Sequence, residues 1–244
     1  MPADYDYNSY DPYRHHLNCS RGGPQPFVPM HWCLSHSSPP TYPRGPAYVH
    51  PTWLLGFNEP NVGYPSSGSC GGGRKNAAAI ATAWGAVMKQ TASDYPGAKL
   101  VSPATACLPP GEKSPRTGDV DSIAWFREFF GNCSLLYGSR GCQTAHMAVH
   151  YYGCNATEAM AYLQQHHDAF GLPLWLTEFS CGHDPVVEHH ARYLKELLPL
   201  LDASPIVFRY AWMSARARGS GSERALLVPG EPRLTPLGRL YNTV

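Results

Sequence analysis

Charge is scarce in this sequence. Only 15% of its 244 residues are Asp, Glu, Lys or Arg, and they leave a formal net charge of +1. No strong field of either sign favours a nucleic acid or an anionic membrane as partner. Long apolar runs are missing too; none approaches the roughly 20 residues that span a bilayer. The chain opens on Tyr, Asp, Asn and Pro instead of a basic start and an apolar stretch, so no signal peptide is visible. The eight cysteines include no Cys-x-x-Cys pair, which argues against a zinc ribbon or a thioredoxin site. No His-x-x-x-His stands beside a carboxylate ligand, and the pairs His15-His16, His166-His167 and His189-His190 read as solvated helix-surface residues. No metal or cofactor is therefore expected. The run Gly71 to Lys75 lacks the Gly-Lys-Ser/Thr ending of a phosphate loop and follows no strand directly.

Proline, glycine and tyrosine are plentiful, as in a loop-rich, compact protein. An even number of cysteines, with Asn-x-Ser/Thr sequons at Asn18, Asn132 and Asn155, favours an oxidising, secretory context. Cys133 and Cys142 flank a short loop and are expected to pair. Cys154 and Cys181 each follow a strand end, which suits a bridge between neighbouring strands. Cys19, Cys33, Cys70 and Cys107 stay unassigned.

Residues Met1 to Pro26 are irregular. Phe27 to Cys33 is a predicted strand ending at Trp32, and Leu34 to His50 a Pro- and Ser-rich loop. A strand ending at Glu59 precedes a helix over Lys75 to Ser93. Lys99 to Ser102 is a strand and Ala104 to Gly118 a loop. Asp119 or Asp121 caps a helix running to about Phe130, with a loop over Asn132 to Gly141. Ala145 to Tyr152 is a strand, Thr157 to Phe170 a helix closed by Gly171, and Pro173 to Glu178 a strand. Asp184 is expected to cap a helix with Pro185 at its first position, ending near Leu201. Ile206 to Met213 is the last strand, and a short helix lies near Leu237.

Strand alternating with helix, without internal repeats, predicts a parallel sheet with crossover helices. A closed eight-stranded barrel needs two strands beyond the six found. Tyr5 to Tyr10 is a candidate for one; the first barrel strand is expected to be missing through truncation. The expected organisation is an irregular segment 1–26 and one catalytic barrel over 27–244, an α/β, compact (β/α)8-like TIM barrel.

Two stretches carry the chemistry. In Trp53 to Asn61 an apolar run gives way abruptly to Asn58, Glu59 and Pro60. In Leu174 to Gly182 the run Leu-Trp-Leu-Thr ends at Glu178. Two buried strands, each delivering one carboxylate at its C-terminal end, suit a barrel enzyme that flanks one substrate bond. A retaining glycosidase needs a proton donor and an attacking carboxylate about 5–5.5 Å apart. Asn58 is placed to hold a sugar 2-hydroxyl. His150 and Tyr152 sit two apart on one strand and face the same side, with Tyr152 within reach of Glu178. Trp32 and Trp212 end strands, where they offer flat faces to sugar rings. Trp53, Trp84, Trp125 and Trp175 read as core.

These pieces resemble glycoside hydrolase family 128, the Asl1-like glycosyl hydrolase catalytic core of clan A. The similarity runs in order through Phe-Val-Pro-Met-His-Trp (Phe27 to Trp32), Leu-Leu-Gly-Phe-Asn-Glu-Pro-Asn (Leu54 to Asn61) and Val-Ser-Pro-Ala (Val101 to Ala104). It continues through Val-His-Tyr-Tyr-Gly (Val149 to Gly153), Trp-Leu-Thr-Glu-Phe-Ser-Cys (Trp175 to Cys181), Arg-Tyr-Ala-Trp (Arg209 to Trp212) and Leu-Thr-Pro-Leu-Gly (Leu234 to Gly238). The resemblance implies a retaining endo-β-1,3-glucanase with Glu59 as acid/base and Glu178 as nucleophile. The expected partner is a β-glucan, the expected state a monomer, and the expected location secreted or the cell wall. The alternatives are a non-catalytic β-glucan-binding or cell-wall protein on the same fold, and a clan A hydrolase of another polysaccharide.

Overall fold

The computed structural model describes residues 28–31, 51–62, 76–107, 120–216 and 222–243. Its elements run β1 (Trp53–Leu54), α1 (Ala77–Asp94), β2 (Lys99–Thr105), α2 (Ser122–Tyr137), β3 (Thr144–Tyr151), α3 (Ala156–Phe170), β4 (Leu174–Phe179), α4 (Val187–Ala203), β5 (Val207–Trp212) and α5 (Pro236–Tyr241). The strands form one sheet in sequential order, β1-β2-β3-β4-β5, with β1–β2 and β4–β5 in parallel register. Parallel strands joined by crossover helices are the predicted α/β pattern of a (β/α)8-like barrel, with five of its strands among the described residues. The residues group into two compact units, one up to Ala148 and one from Val149 onward.

In the first unit, β1 is short as a regular ladder, but the chain tracks β2 well beyond it. Lys99 N–H donates to Thr52 O, Ala104 N–H to Phe57 O at 2.8 Å, and Glu59 N–H to Ala104 O at 2.7 Å. Regular pairing lapses where Gly56 meets Pro103, which has no N–H to give. A Cβ on Gly56 would lie 2.6 Å from Pro103 N and 2.7 Å from Ser102 O, so only glycine lets the two backbones come this close. The sequence places the end of β2 at Ser102; it runs on to Thr105 because Ala104, directly after the proline, is bound through both its N–H and its carbonyl.

The strand expected over Phe27 to Cys33 is, among the described residues, reduced to isolated bridge positions at Val28 and Met30, with Met30 paired parallel to Leu55. Leu55 N–H donates to Pro29 O and His31 N–H to Leu55 O. Pro29 again removes a donor that a longer ladder needs. The strand suggested at Tyr5 to Tyr10, the loop Leu34 to His50 and the run Gly71 to Lys75 lie outside the described residues.

Helices α1 and α2 bury aromatic stripes. Asn76 caps α1, its Oδ1 accepting from Ala78 N–H, and Ile80, Trp84, Val87 and Thr91 line the buried face. Asp121, not Asp119, caps α2 through Ala124 N–H. That helix continues seven residues past the predicted end at Phe130, to Tyr137. Gly131 costs about 1 kcal/mol there, but the stripe Trp125, Phe129, Cys133 extends beyond it and is buried. Trp84 stands edge-on to both Phe57 and Phe129, and its Nε1 donates to Cys142 O at 2.8 Å. Burying each such ring contributes about 2–3 kcal/mol. The expected Cys133–Cys142 disulfide is present.

In the second unit, Asn155 caps α3, and Gly171, at φ +66°, ends it in the left-handed conformation that glycine adopts without penalty. All six residues of β4 are buried. The start of α4 corrects the sequence reading. Asp184 does not cap it, and Pro185 is not its first residue. The Asp184 carboxylate accepts from Val186 N–H at 2.9 Å and meets His189 Nδ1 at 2.8 Å, closing a turn ahead of the helix; the N-cap is Val186. Those bonds, the Val186 amide first, hold the Asp184 carboxyl below the usual aspartate range. The histidine pairs need correcting as well. His166 and His190 are buried, with His166 Nδ1 against Tyr162 O and His190 Nε2 against Asp184 O, both at 2.8 Å. Consecutive helical residues point about 100° apart, so one of each pair turns inward. His15 and His16 lie outside the described residues. The expected tryptophan core is found: Trp53, Trp84, Trp125 and Trp175 are all buried.

Candidate active site

Glu59 sits just past its strand, on the turn that Pro60 starts. It is buried, and its φ of +44° is left-handed, a conformation that a residue with a side chain adopts only under external constraint. The constraint comes from both sides. Upstream, Asn58 bridges Ala104 and Glu59 N–H is bound to Ala104 O. Downstream, Val62 N–H donates to Glu59 O at 3.4 Å, and the fully buried Asn61 side chain binds backbone at Ala106 and Val120. Asn58 is buried like its neighbour. His31, close by on the bridge to Leu55, is also buried; desolvation pulls its imidazole pKa down to about 4, so it is neutral at pH 7.

Glu178 is the next-to-last residue of β4 and is buried. Its Oε2 accepts a hydrogen bond from the Tyr152 hydroxyl, and His150 Nδ1 lies 3.5 Å from the same oxygen. The two residues reach it because β3 ends here: His150 is on the strand, Tyr152 just past it, and a spacing of two puts both on one side. Ser180 N–H donates to Tyr151 O, and the Cys154–Cys181 disulfide ties together the segments that follow β3 and β4. This second expected disulfide lies two residues beyond Tyr152 and three beyond Glu178. Tyr152 is the open member of the group, about one-third exposed, whereas His150 is fully enclosed.

Within the second unit the structure thus groups His150, Tyr152 and Glu178. Trp212 ends β5, but its indole lies among Phe179, His190 and Tyr193, and its Nε1 donates to Arg224 O at 2.8 Å. It is 6% exposed. In the first unit Asn58 and Glu59 are neighbours on one turn. Trp32 lies outside the described residues. The residue that sequence reasoning passed over is Asn61. It stands in the quoted Asn-Glu-Pro-Asn run, but its partners are distant in sequence and no spacing rule points to them.

Each unit thus carries a buried carboxylate at the end of a strand, Glu59 in the first and Glu178, braced by a tyrosine and a histidine, in the second. The chain belongs to the glycosyl hydrolase catalytic core family, whose model matches residues 4–241. It is similar to a family 128, subgroup II, endo-β-1,3-glucanase of Sorangium cellulosum: 27% identity, TM-score 0.74, covering 98% of this chain and 88% of that one. It shares its fold with a subgroup I endo-β-1,3-glucanase variant of Amycolatopsis mediterranei in complex with laminaripentaose, at 20% identity and a TM-score of 0.66, covering 98% and 88% of the two chains. A curated relative is alkali-sensitive linkage protein 1 of Schizosaccharomyces pombe, 28% identical over 125 residues, 48% of this chain; the match spans 22% of that protein's length. The likeness to family 128 seen in the sequence is borne out.

Proposed function

We propose that this chain is a retaining endo-β-1,3-glucanase in which Glu59 is the acid/base and Glu178 the nucleophile. The observation that carries the reading is the Tyr152–Glu178–His150 group, which fixes one oxygen of a buried carboxylate at a strand end. A carboxylate so held keeps one rotamer and directs its other oxygen, as attack on an anomeric carbon requires. The β-1,3-glucan substrate and endo action are taken from the Sorangium cellulosum relative; other proteins of similar fold are exo-acting. In the first step Glu178 attacks the anomeric carbon while Glu59 gives its proton to the departing glycosidic oxygen. In the second, Glu59 takes a proton from water, whose oxygen displaces Glu178 and restores the configuration. Asn58 contacts the sugar beside the scissile bond, Trp32 stacks on a neighbouring ring, and Trp212 backs the Glu178 strand. The disulfides favour an extracellular setting, and the chain is proposed to act as a monomer.

Laminarin hydrolysis, followed by reducing-end release, product sizing and the anomeric configuration of first products by NMR, tests the proposal. Glu178→Gln is expected to lower kcat by about 10³-fold or more while leaving laminarin binding intact. Full activity in that variant, inverted products, or hydrolysis of xylan or β-1,4-glucan in preference to laminarin would overturn the assignment.

A further inference from the structure

The turn that presents Glu59 is fastened by a side chain outside the proposed chemistry. Asn61 Nδ2 donates to Ala106 O at 3.1 Å and to Val120 O at 3.0 Å, while its Oδ1 accepts from Ala106 N–H at 2.8 Å. Its own carbonyl accepts from Val120 N–H at 3.1 Å. Ala106 directly follows β2, and Val120 directly precedes Asp121, the cap of α2. One buried carboxamide therefore joins the Glu59 turn, the end of β2 and the entry to α2. Two carbonyls and one N–H form a polarity pattern that a carboxamide satisfies. A carboxylate of the same shape would face two carbonyl oxygens, and a methyl group would leave all three groups without partners.

These bonds act on a residue in need of restraint. Glu59, two positions upstream, holds φ at +44°. Freed from its turn, a glutamate relaxes toward negative φ, and its carboxyl swings away. We propose that Asn61 is the positioning residue of the acid/base: it keeps Glu59 in the left-handed conformation and so aims the carboxyl at the leaving-group oxygen. The inference rests on the reading of Glu59 given above. Asn61 is not a catalytic residue, since its side chain binds only backbone.

The test compares two leaving groups. Laminarin departs as an alkoxide that must be protonated, whereas 2,4-dinitrophenyl β-laminaribioside releases a phenolate that leaves without a proton. Asn61→Ala and Asn61→Asp are expected to lose about 30–100-fold in kcat on laminarin, the size of loss that an ångström-scale misplacement brings. The burst of phenolate from the aryl substrate should fall by less than about 5-fold, because protonation contributes little to that step. Added azide, which needs no general base, should restore turnover of the aryl substrate. Glu59→Gln should show the same pattern in stronger form. If Ala and Asp variants fail to fold, Asn61→Ser keeps one donor and is expected to lose about 10-fold on laminarin alone. Equal losses on both substrates, in variants whose melting shows them folded at the assay temperature, would overturn the inference while leaving the glucanase reading intact. A parent chain that cleaves neither substrate would instead remove the glucanase reading and this inference with it.

Discussion

The two glutamates are held by different means. Glu59 is fixed through its backbone: a left-handed φ, an N–H bound to β2, and a turn stapled by Asn61. Glu178 lies on a regular, fully buried strand and is fixed through its carboxylate, by the Tyr152 hydroxyl and the His150 imidazole. The contrast fits the proposed tasks. A proton donor must point at the departing oxygen, and at Glu59 the chain itself supplies that aim. A carboxylate that must attack is best braced at one oxygen. Damage near Glu59 should therefore act through the fold of its turn, whereas damage near Glu178 should act through the bonds to its carboxylate.

Gly56→Ala should break the first half of that contrast most severely. The new Cβ would meet the backbone of Ser102 and Pro103 at 2.6–2.7 Å, and backbone cannot rotate away as a side chain can. A loss of about 3 kcal/mol is expected, the upper end of overpacking costs. Chemical denaturation, read with laminarin hydrolysis at low temperature, checks it; a variant as stable as the parent would show that the strand carrying Glu59 is not pinned to β2 there.

His31 sharpens the same half through pH. Its pKa is about 4 in the folded chain, against an ordinary value of 6.5. Between those values the unfolded chain binds a proton at this imidazole that the folded chain does not, so stability rises with pH across the window. The contribution is complete above about 6.5 and lost as pH falls to about 4, a swing of up to about 3 kcal/mol. Urea unfolding of the parent and of His31→Gln at a series of pH values measures it. The variant should lack this part of the slope; identical slopes would mean that His31 is solvated.

What the sequence made legible follows from the range of the interactions. The abrupt polarity at Asn58 and Glu59, and the two-residue step from His150 to Tyr152, are local signals, and the structure realises them at a turn and at a strand end. The disulfides were also legible, Cys154–Cys181 because both cysteines follow strand ends and Cys133–Cys142 because the two lie close in sequence, although Cys133 stands within α2 and not at the edge of a loop. The left-handed φ of Glu59 was not, since it depends on Asn61 reaching residues 45 and 59 positions away. The extent of α2 was obscured by Gly131, whose cost is outweighed by a buried stripe that runs past it. The buried members of the histidine pairs were hidden for a related reason: their bonds go to backbone carbonyls, which carry no residue-type signal.

Tyr152→Phe gives the smallest expected effect and the cleanest view of the second half. It removes one hydroxyl donor from Glu178 Oε2 and leaves His150 in place. A hydrogen bond to a charged group is worth about 1.5–3 kcal/mol, so kcat on laminarin should fall by about 10–100-fold. The bond is made in the free chain too, so its loss should lower unfolding stability by no more than about the same 1.5–3 kcal/mol. The aryl substrate should suffer as much as laminarin, because attack by Glu178 is common to both. That sets Tyr152 apart from Asn61, whose loss should spare the aryl substrate. A Tyr152→Phe enzyme impaired on laminarin alone would place Tyr152 on the proton-transfer side and dissolve the division between a backbone-held and a side-chain-held carboxylate.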